Sequence, residues 1–256
     1  MINDISHGPV ALVTGASGGI GGAICRRLVA DGYRLAVTDI VAGPLDAIVE
    51  EFGADRAVAF VADLLDEEAV TGLPARVHEE FGRLDVLVNN AGVRKITPFD
   101  QLPSAEWRTT LEIDLVAPAL LAANALPLML AQGGGRIVNI ASFAGLSAVR
   151  GRAAYGAAKA GLISLTKAIA LEFGAQGVRV NAIAPGIIET AMTSHVFASA
   201  ELQRHVAEVV PNGRPGTPDD IADAVSFLAS DRSDYVNGVV LPVDGGWLAG
   251  QGAARL

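Results

Sequence analysis

Sulfur, aromatic side chains and positive charge are all scarce in this chain. Its 256 residues hold one cysteine, Cys25, so no internal disulfide can form, and a reducing compartment is expected. Aromatic residues make up 5% of the sequence. Lys and Arg number 19 against 28 Asp and Glu, a formal net charge of -9. No basic cluster interrupts that excess, which would repel a polyanion, so nucleic acid is not expected as a partner. The four histidines, His7, His78, His195 and His205, lack ligand spacing, and no metal site is expected. Residues 1–9 do not have the basic-then-apolar layout of a signal peptide, which agrees with a cytoplasmic location. The longest apolar stretch, residues 115–131, is interrupted by Pro118, Asn124 and Pro127. It reads as a buried helix rather than a membrane span, and no membrane partner is expected.

What the chain does have is a hydrophobic content of 51%, enough for a large core. Strand-like runs at 10–14, 34–39, 57–61, 86–89, 136–140, 179–184 and 239–243 alternate with helical patterns, among them 67–81, 107–130, 154–173 and 218–228. Strands alternating with helices predict an α/β fold, a doubly wound parallel sheet of seven strands with helices on both faces. Nothing resembles a linker or repeat, so residues 1–256 are expected to form one domain.

The first strand runs through Gly15, Ala16, Ser17, Gly18, Gly19, Ile20 and Gly21 into an amphipathic helix at 23–29. Gly15, Gly19 and Gly21 lack Cβ atoms, so backbone can approach a ligand closely, and a helix start suits a pyrophosphate. Asp39 ends the second strand, 18 residues after Gly21. A carboxylate there can accept hydrogen bonds from an adenosine ribose and repel a 2′-phosphate, which favours NAD over NADP. The plainer reading is that Asp39 starts a turn. Residues 15–19 also spell G-x-S-x-G, which would make Ser17 a hydrolase nucleophile. That reading is the weaker one, because the turn follows the first strand and His195 and His205 fall in a helical segment with no triad layout.

Tyr155 and Lys159 stand four apart on a helix and share one face, and Ser142 closes the preceding strand. An ammonium beside a phenol stabilises the phenolate. Tyr155 could then take a proton from an alcohol while Ser142 hydrogen-bonds the same oxygen. By itself, Y-x-x-x-K is a common helical pair.

Taken together, these residues make the chain resemble the short-chain dehydrogenase/reductase family nearly end to end. The resemblance rests on Thr14 to Gly21, Asp63 with Leu64, Asn89-Asn90-Ala91-Gly92, Ser142, Tyr155 to Lys159, Asn181 to Gly186 with Thr190, and Val243 to Gly246. It implies a Rossmann-type fold and hydride transfer between a nicotinamide cofactor and an alcohol or ketone. It also implies a cofactor site of Gly15, Ser17, Gly19, Ile20, Gly21, Asp39, Asp63, Leu64, Asn90, Ala91, Gly92, Tyr155, Lys159, Pro185, Gly186, Ile188 and Thr190. In that site Asp63 would take the adenine edge and Asn90 would brace the central strand. Ile188 and Thr190 would meet the nicotinamide amide, and Lys159 the nicotinamide ribose. Without the resemblance, Asn89 and Asn90 would read as a strand-ending turn.

One residue departs from the family. Asp114 stands where the family normally has an asparagine that helps hold a water chain from the lysine to solvent. Asp114 is therefore expected to be a fourth catalytic residue with altered pH dependence, or else a helix aspartate with local duties.

By the same analogy a lid at about 187–212 covers a substrate pocket walled by 93–99 and 143–152. Candidate substrate contacts are Arg94, Lys95, Phe143, Arg152 and Met192, with Arg150 and Phe197 nearby. A polyol, sugar or sugar acid is the expected substrate class. A 3-oxoacyl reductase-like enzyme and a catalytically silent NAD-sensing scaffold are the alternatives. The helices at 107–130 and 154–173 are rich in small apolar residues around much of their circumference, more than one sheet face can cover. With the family's habit of tetramers, this leads us to expect a homotetramer.

Overall fold

The computed structural model describes residues 8–197 and 199–250, so His7 lies outside the described residues. Seven parallel strands form one sheet: β1 (Val10–Thr14), β2 (Arg34–Asp39), β3 (Ala57–Val61), β4 (Val86–Asn89), β5 (Gly135–Ile140), β6 (Val178–Pro185) and β7 (Val240–Val243). Their spatial order is β3-β2-β1-β4-β5-β6-β7. The chain moves outward from β1 to β3 and then returns to lay β4 against the other side of β1. At such a reversal the loops after β1 and β4 diverge and leave a crevice beyond the strands' carboxyl ends.

All five residues of β1 are buried, as a strand covered on both faces requires. Successive side chains point to opposite faces. Ala11 and Val13 therefore join one core with α1 (Gly19–Ala30), α2 (Ala42–Phe52) and α8 (Pro218–Ala229), while Val10 and Leu12 join a second with α3 (Glu67–Phe81), α5 (Ala117–Ala131) and α6 (Ala153–Phe173). Cys25 is buried in the first core, where desolvation pushes its thiol up to about 12, so it stays protonated. A π-helical segment, Glu112–Val116, joins α4 (Ser104–Leu111) to α5 without a break.

The helix containing residues 115–131 thus begins three residues before the helical pattern at 107–130 and ends one residue after it. The continuous helix Ser104–Ala131 is long and apolar enough to cross a membrane by length and composition. Its inner side chains, including Leu121, Ala125 and Met129, pack into the second core. The remaining helix, α7 (Ala200–Val209), lies in the lid region, whose residue 198 is outside the described set.

Candidate active site

The crevice at the β1/β4 reversal is a cavity of about 450 Å³. Its floor is the glycine loop. Gly15 has φ 63°, and a Cβ there would lie 2.8 Å from Ala91 Cα. At Gly21 a Cβ would come within 2.0 Å of the Gly15 carbonyl oxygen. Side chains at either position would force the loop apart, so the sequence folds this way only with glycine. Gly18, the residue before α1, offers no side chain to cap the helix. The helix start is thereby left for an anion.

Behind the loop, Asn90 ties β4 to β1. Its Nδ2 donates to the carbonyls of Thr14 at 2.9 Å and Gly15 at 3.0 Å. The Thr14 hydroxyl accepts from the Asn90 and Ala91 N–H groups, both at 3.1 Å. Asn90 thus braces the strand, more than a strand-ending turn needs. Nothing in the local sequence pattern marks Thr14 for this bracing role.

At the far end of the cavity, Asp39 accepts from the Ser17 hydroxyl, from Ser17 N at 3.2 Å and from Ile40 N at 2.8 Å. That bond commits the Ser17 hydroxyl to a carboxylate and gives no support to the hydrolase reading. Asp63 and Leu64 line the same end, with Asp63 Oδ1 accepting from Leu65 N at 2.9 Å. The Thr38 hydroxyl, buried and with no hydrogen-bond partner among the described residues, also lines this cavity. A glycine cradle that a Cβ would fill, an orphaned hydroxyl and a carboxylate at the end of β2 fit a dinucleotide.

A second cavity of about 100 Å³ adjoins the first, sharing Ile20, Asn90, Gly92, Thr190 and Met192. It gathers Ser142, Tyr155, Lys159 and Asp114, with Pro185, Gly186 and Ile188 on its β6 side. Ser142 lies beyond β5, where its Oγ accepts from Ala144 N at 3.1 Å. That bond uses a lone pair and leaves the hydroxyl hydrogen to donate. One turn of α6 places the Lys159 Nζ 5.7 Å from the centre of the Tyr155 ring.

Lys159 and Asp114 form a buried ion pair, Nζ to Oδ1 2.9 Å, with side-chain exposures of 3% and 0%. Its geometry is that of a charge contact rather than a well-aligned hydrogen bond. Nζ also donates to the Ile140 carbonyl at 3.0 Å, and Asp114 Oδ2 accepts from Val93 N at 3.1 Å. Burial works to lower the pKa of Lys159, but the charges of Asp114 and Tyr155, together with the Asp114 contact, outweigh it and raise the value. Asp114 reaches this place because it sits inside the π-helical segment, where Ala117 N bonds to the Glu112 carbonyl five residues back. Such a segment re-aims side chains within a helix. It left no periodicity signal in the sequence. Gly92 leaves the room required, since a Cβ there would sit 2.5 Å from Asp114 Oδ1.

The proposed substrate contacts separate into two groups. Arg94, Phe143 and Met192 line the second cavity, and Arg152 stands beside it with its guanidinium 5.8 Å from the Phe143 ring centre. Lys95 is exposed and lines neither cavity. Trp247, not singled out from sequence, packs on Phe143 with ring centroids 4.3 Å apart. Among the described residues no group of three or more His, Cys, Asp or Glu is arranged to hold a metal ion.

Comparison with known proteins agrees with this geometry. The family model described as enoyl-(acyl carrier protein) reductase matches residues 15–248. The chain is 40% identical over 242 residues to cis-4-hydroxycyclohexanecarboxylate dehydrogenase of Sinomonas cyclohexanicum, covering 94% of this chain and 96% of that protein. To D-threitol dehydrogenase of Mycolicibacterium smegmatis it is 39% identical, covering 94% and 93%. A crystal structure described as an NAD(P)-dependent gluconate 5-dehydrogenase from Beutenbergia cavernae, with bound NADP, superposes with a TM-score of 0.88 at 40% identity, covering 94% of this chain and 97% of that one.

Proposed function

This chain belongs to the short-chain dehydrogenase/reductase family and is an oxidoreductase of alcohol and ketone groups; within that family we propose that it is an NAD-dependent dehydrogenase acting on a small polyol, sugar or sugar acid. The observation that carries the reading is the convergence of Ser142, Tyr155 and Lys159 on one small cavity opening into the glycine-loop crevice. A scaffold that only sensed a nucleotide would have no use for that trio. The relatives named for hydroxy acids and polyols support the substrate class.

The glycine loop at Gly15 to Gly21, with Asp39 and Asp63, would hold the dinucleotide, which would supply the hydride chemistry between alcohol and ketone. The protein's share is proton transfer and positioning. Ser142 donates its free hydroxyl hydrogen to the substrate oxygen, and Tyr155 takes the alcohol proton or supplies it to the forming alkoxide. The Lys159 ammonium stabilises the phenolate electrostatically, and Asp114 holds that ammonium in place. Lys159 would also meet the nicotinamide ribose. For the cofactor, Asp39 supports NAD, because a 2′-phosphate would face a carboxylate already holding the loop. A homotetramer in the cytoplasm completes the proposal.

Tyr155→Phe tests the chemistry. NADH binding should persist while turnover falls by about 10²- to 10⁴-fold. Turnover equal to wild type would remove Tyr155 as the acid/base. In the same titration, tighter binding of NADPH than NADH would overturn the role given to Asp39 and favour a reductive, 3-oxoacyl reductase-like enzyme.

A further inference from the structure

Two arginines at the reaction cavity have no carboxylate partner among the described residues. Arg94 lines the cavity that holds Ser142 and Tyr155, and one of its guanidinium nitrogens donates to the Met192 carbonyl at 2.8 Å. Arg152 lies against Phe143, which lines the same cavity. The loops carrying them are stitched together. Thr97 N donates to the Gly151 carbonyl at 2.9 Å, and a Cβ on Gly151, at φ 71°, would come within 2.9 Å of the Ile96 side chain. Both cations are therefore held on a braced pair of loops rather than on free chain.

The surroundings of Arg152 are unfavourable to its charge as they stand. Arg152 is half-buried, and its pKa is lowered first by that burial and then by the charge of Arg94. Among the described residues neither arginine has a carboxylate within ion-pair distance, although acidic residues outnumber basic ones across the chain. Like cations near one cavity repel unless an anion joins them, and a guanidinium fork matches a carboxylate. The Phe143 and Trp247 rings supply an apolar wall beside them.

We propose that Arg94 and Arg152 form a carboxylate-binding subsite, so that the substrate is a small hydroxy acid whose carboxylate is held there while its carbinol oxygen reaches Ser142 and Tyr155. This rests on the dehydrogenase reading above and selects, from the substrates it allows, the anionic ones. Lys95 and Arg150, both exposed, take no part.

The test compares a cyclic hydroxycarboxylate with its carboxamide, alike in shape and different in charge, using the full chain with NAD and following NADH absorbance. Wild type should prefer the acid by about 10- to 100-fold in kcat/KM, mainly through KM, the range expected for charge-assisted hydrogen bonds. Arg94→Gln and Arg152→Gln should each erase most of that preference, and Arg152→Lys should restore part of it. Equal kcat/KM for acid and amide in wild type would overturn the subsite while leaving the dehydrogenase standing. If neither compound is oxidised, binding of cyclohexanecarboxylate followed by Trp247 fluorescence decides. Saturable, salt-sensitive quenching in wild type that Arg152→Gln loses would sustain the subsite. No quenching, or the same quenching in both proteins, would overturn it.

Discussion

Asp114 stands where the family resemblance leads one to expect an asparagine, and its placement in the structure gives that difference a consequence. A carboxylate with no exposure, 2.9 Å from a buried ammonium, is the counter-ion that lets Lys159 remain charged against the pull of burial. Removing one partner of such a pair strands the other, at a cost of about 3–5 kcal/mol. Asp114→Ala should therefore lower unfolding stability on that scale in a denaturant titration. Asp114→Asn keeps the shape and an acceptor for Val93 N but removes the charge. Without that charge Lys159 gives up its proton at lower pH, so the alkaline descending limb of the kcat profile should move to lower pH. A profile superimposable on wild type would take the Asp114 carboxylate out of the proton path and leave it a structural role. The residue type was visible in the sequence, and its partner Lys159 could be anticipated only through the family resemblance, not from spacing. Asp114 and Lys159 lie 45 positions apart and meet only because the helix carrying Asp114 departs from α-helical geometry at Glu112–Val116.

At the scale of elements, what could be read in advance was whatever imposes a period or a fixed short spacing. The β1–glycine–α1 turn, the seven strands and the four-residue step from Tyr155 to Lys159 are local, and the strand bounds agree to within one residue at each end. Elements without such a mark were missed. One is α2, whose first turn contains Gly43 and Pro44; another is the start of α4 at Ser104, ahead of Trp107. The substrate wall escaped for a different reason, since Trp247 reaches Phe143 from more than a hundred residues away. The support of the glycine loop was likewise silent in the sequence. Helix α8 packs Ile221 and Val225 into the same core as Ile24 and Leu28 of α1. Its start is a reciprocal cap between Thr217 and Asp220, with Arg214 bonding both Asp220 oxygens at 2.7 and 2.8 Å. Arg214 first, with the Thr217 hydrogen bonds beside it, holds the Asp220 carboxyl well below the usual carboxylate range despite its partial burial. A depressed carboxylate stabilises the fold above its unfolded pKa of 3.8, and that contribution is lost as pH falls toward the folded value. Asp220→Asn should thus lower Tm at neutral pH by about 2–4 °C, the effect of losing a cap of about 1 kcal/mol in a chain of this size. The gap to wild type should close as the pH falls below 3.8. A gap of constant size across that range would show that the charge contributes nothing.

The whole molecule carries a surface that one copy of the chain leaves uncovered. Along α6 the exposed positions Ala157, Ala160, Ser164, Ala168 and Leu171 recur at steps of three and four, and so share one face. Leu171 is 87% exposed. On α5, Ala123, Pro127 and Ala131 form a similar row, again without charge. Small side chains let two helices approach closely, and apolar surface removed from water contributes about 25 cal/mol per Å². The acidic excess, a net -9 per chain, opposes association only where acidic charges lie, and these rows carry none, the exposed Lys167 standing at the edge of the α6 row. Packing of these faces between copies is the physical basis of the proposed homotetramer, and it connects assembly to chemistry because α6 also carries Tyr155 and Lys159. Light scattering should return a mass about four times the 26.3 kDa chain. Ala168→Glu, which sets a charge in the middle of the α6 row facing away from the catalytic pair, should shift that mass toward smaller species. If the wild-type mass is that of a single chain, the rows are ordinary surface and the assembly proposal fails. If the mass is fourfold and Ala168→Glu leaves it unchanged, the subunits meet through a different face.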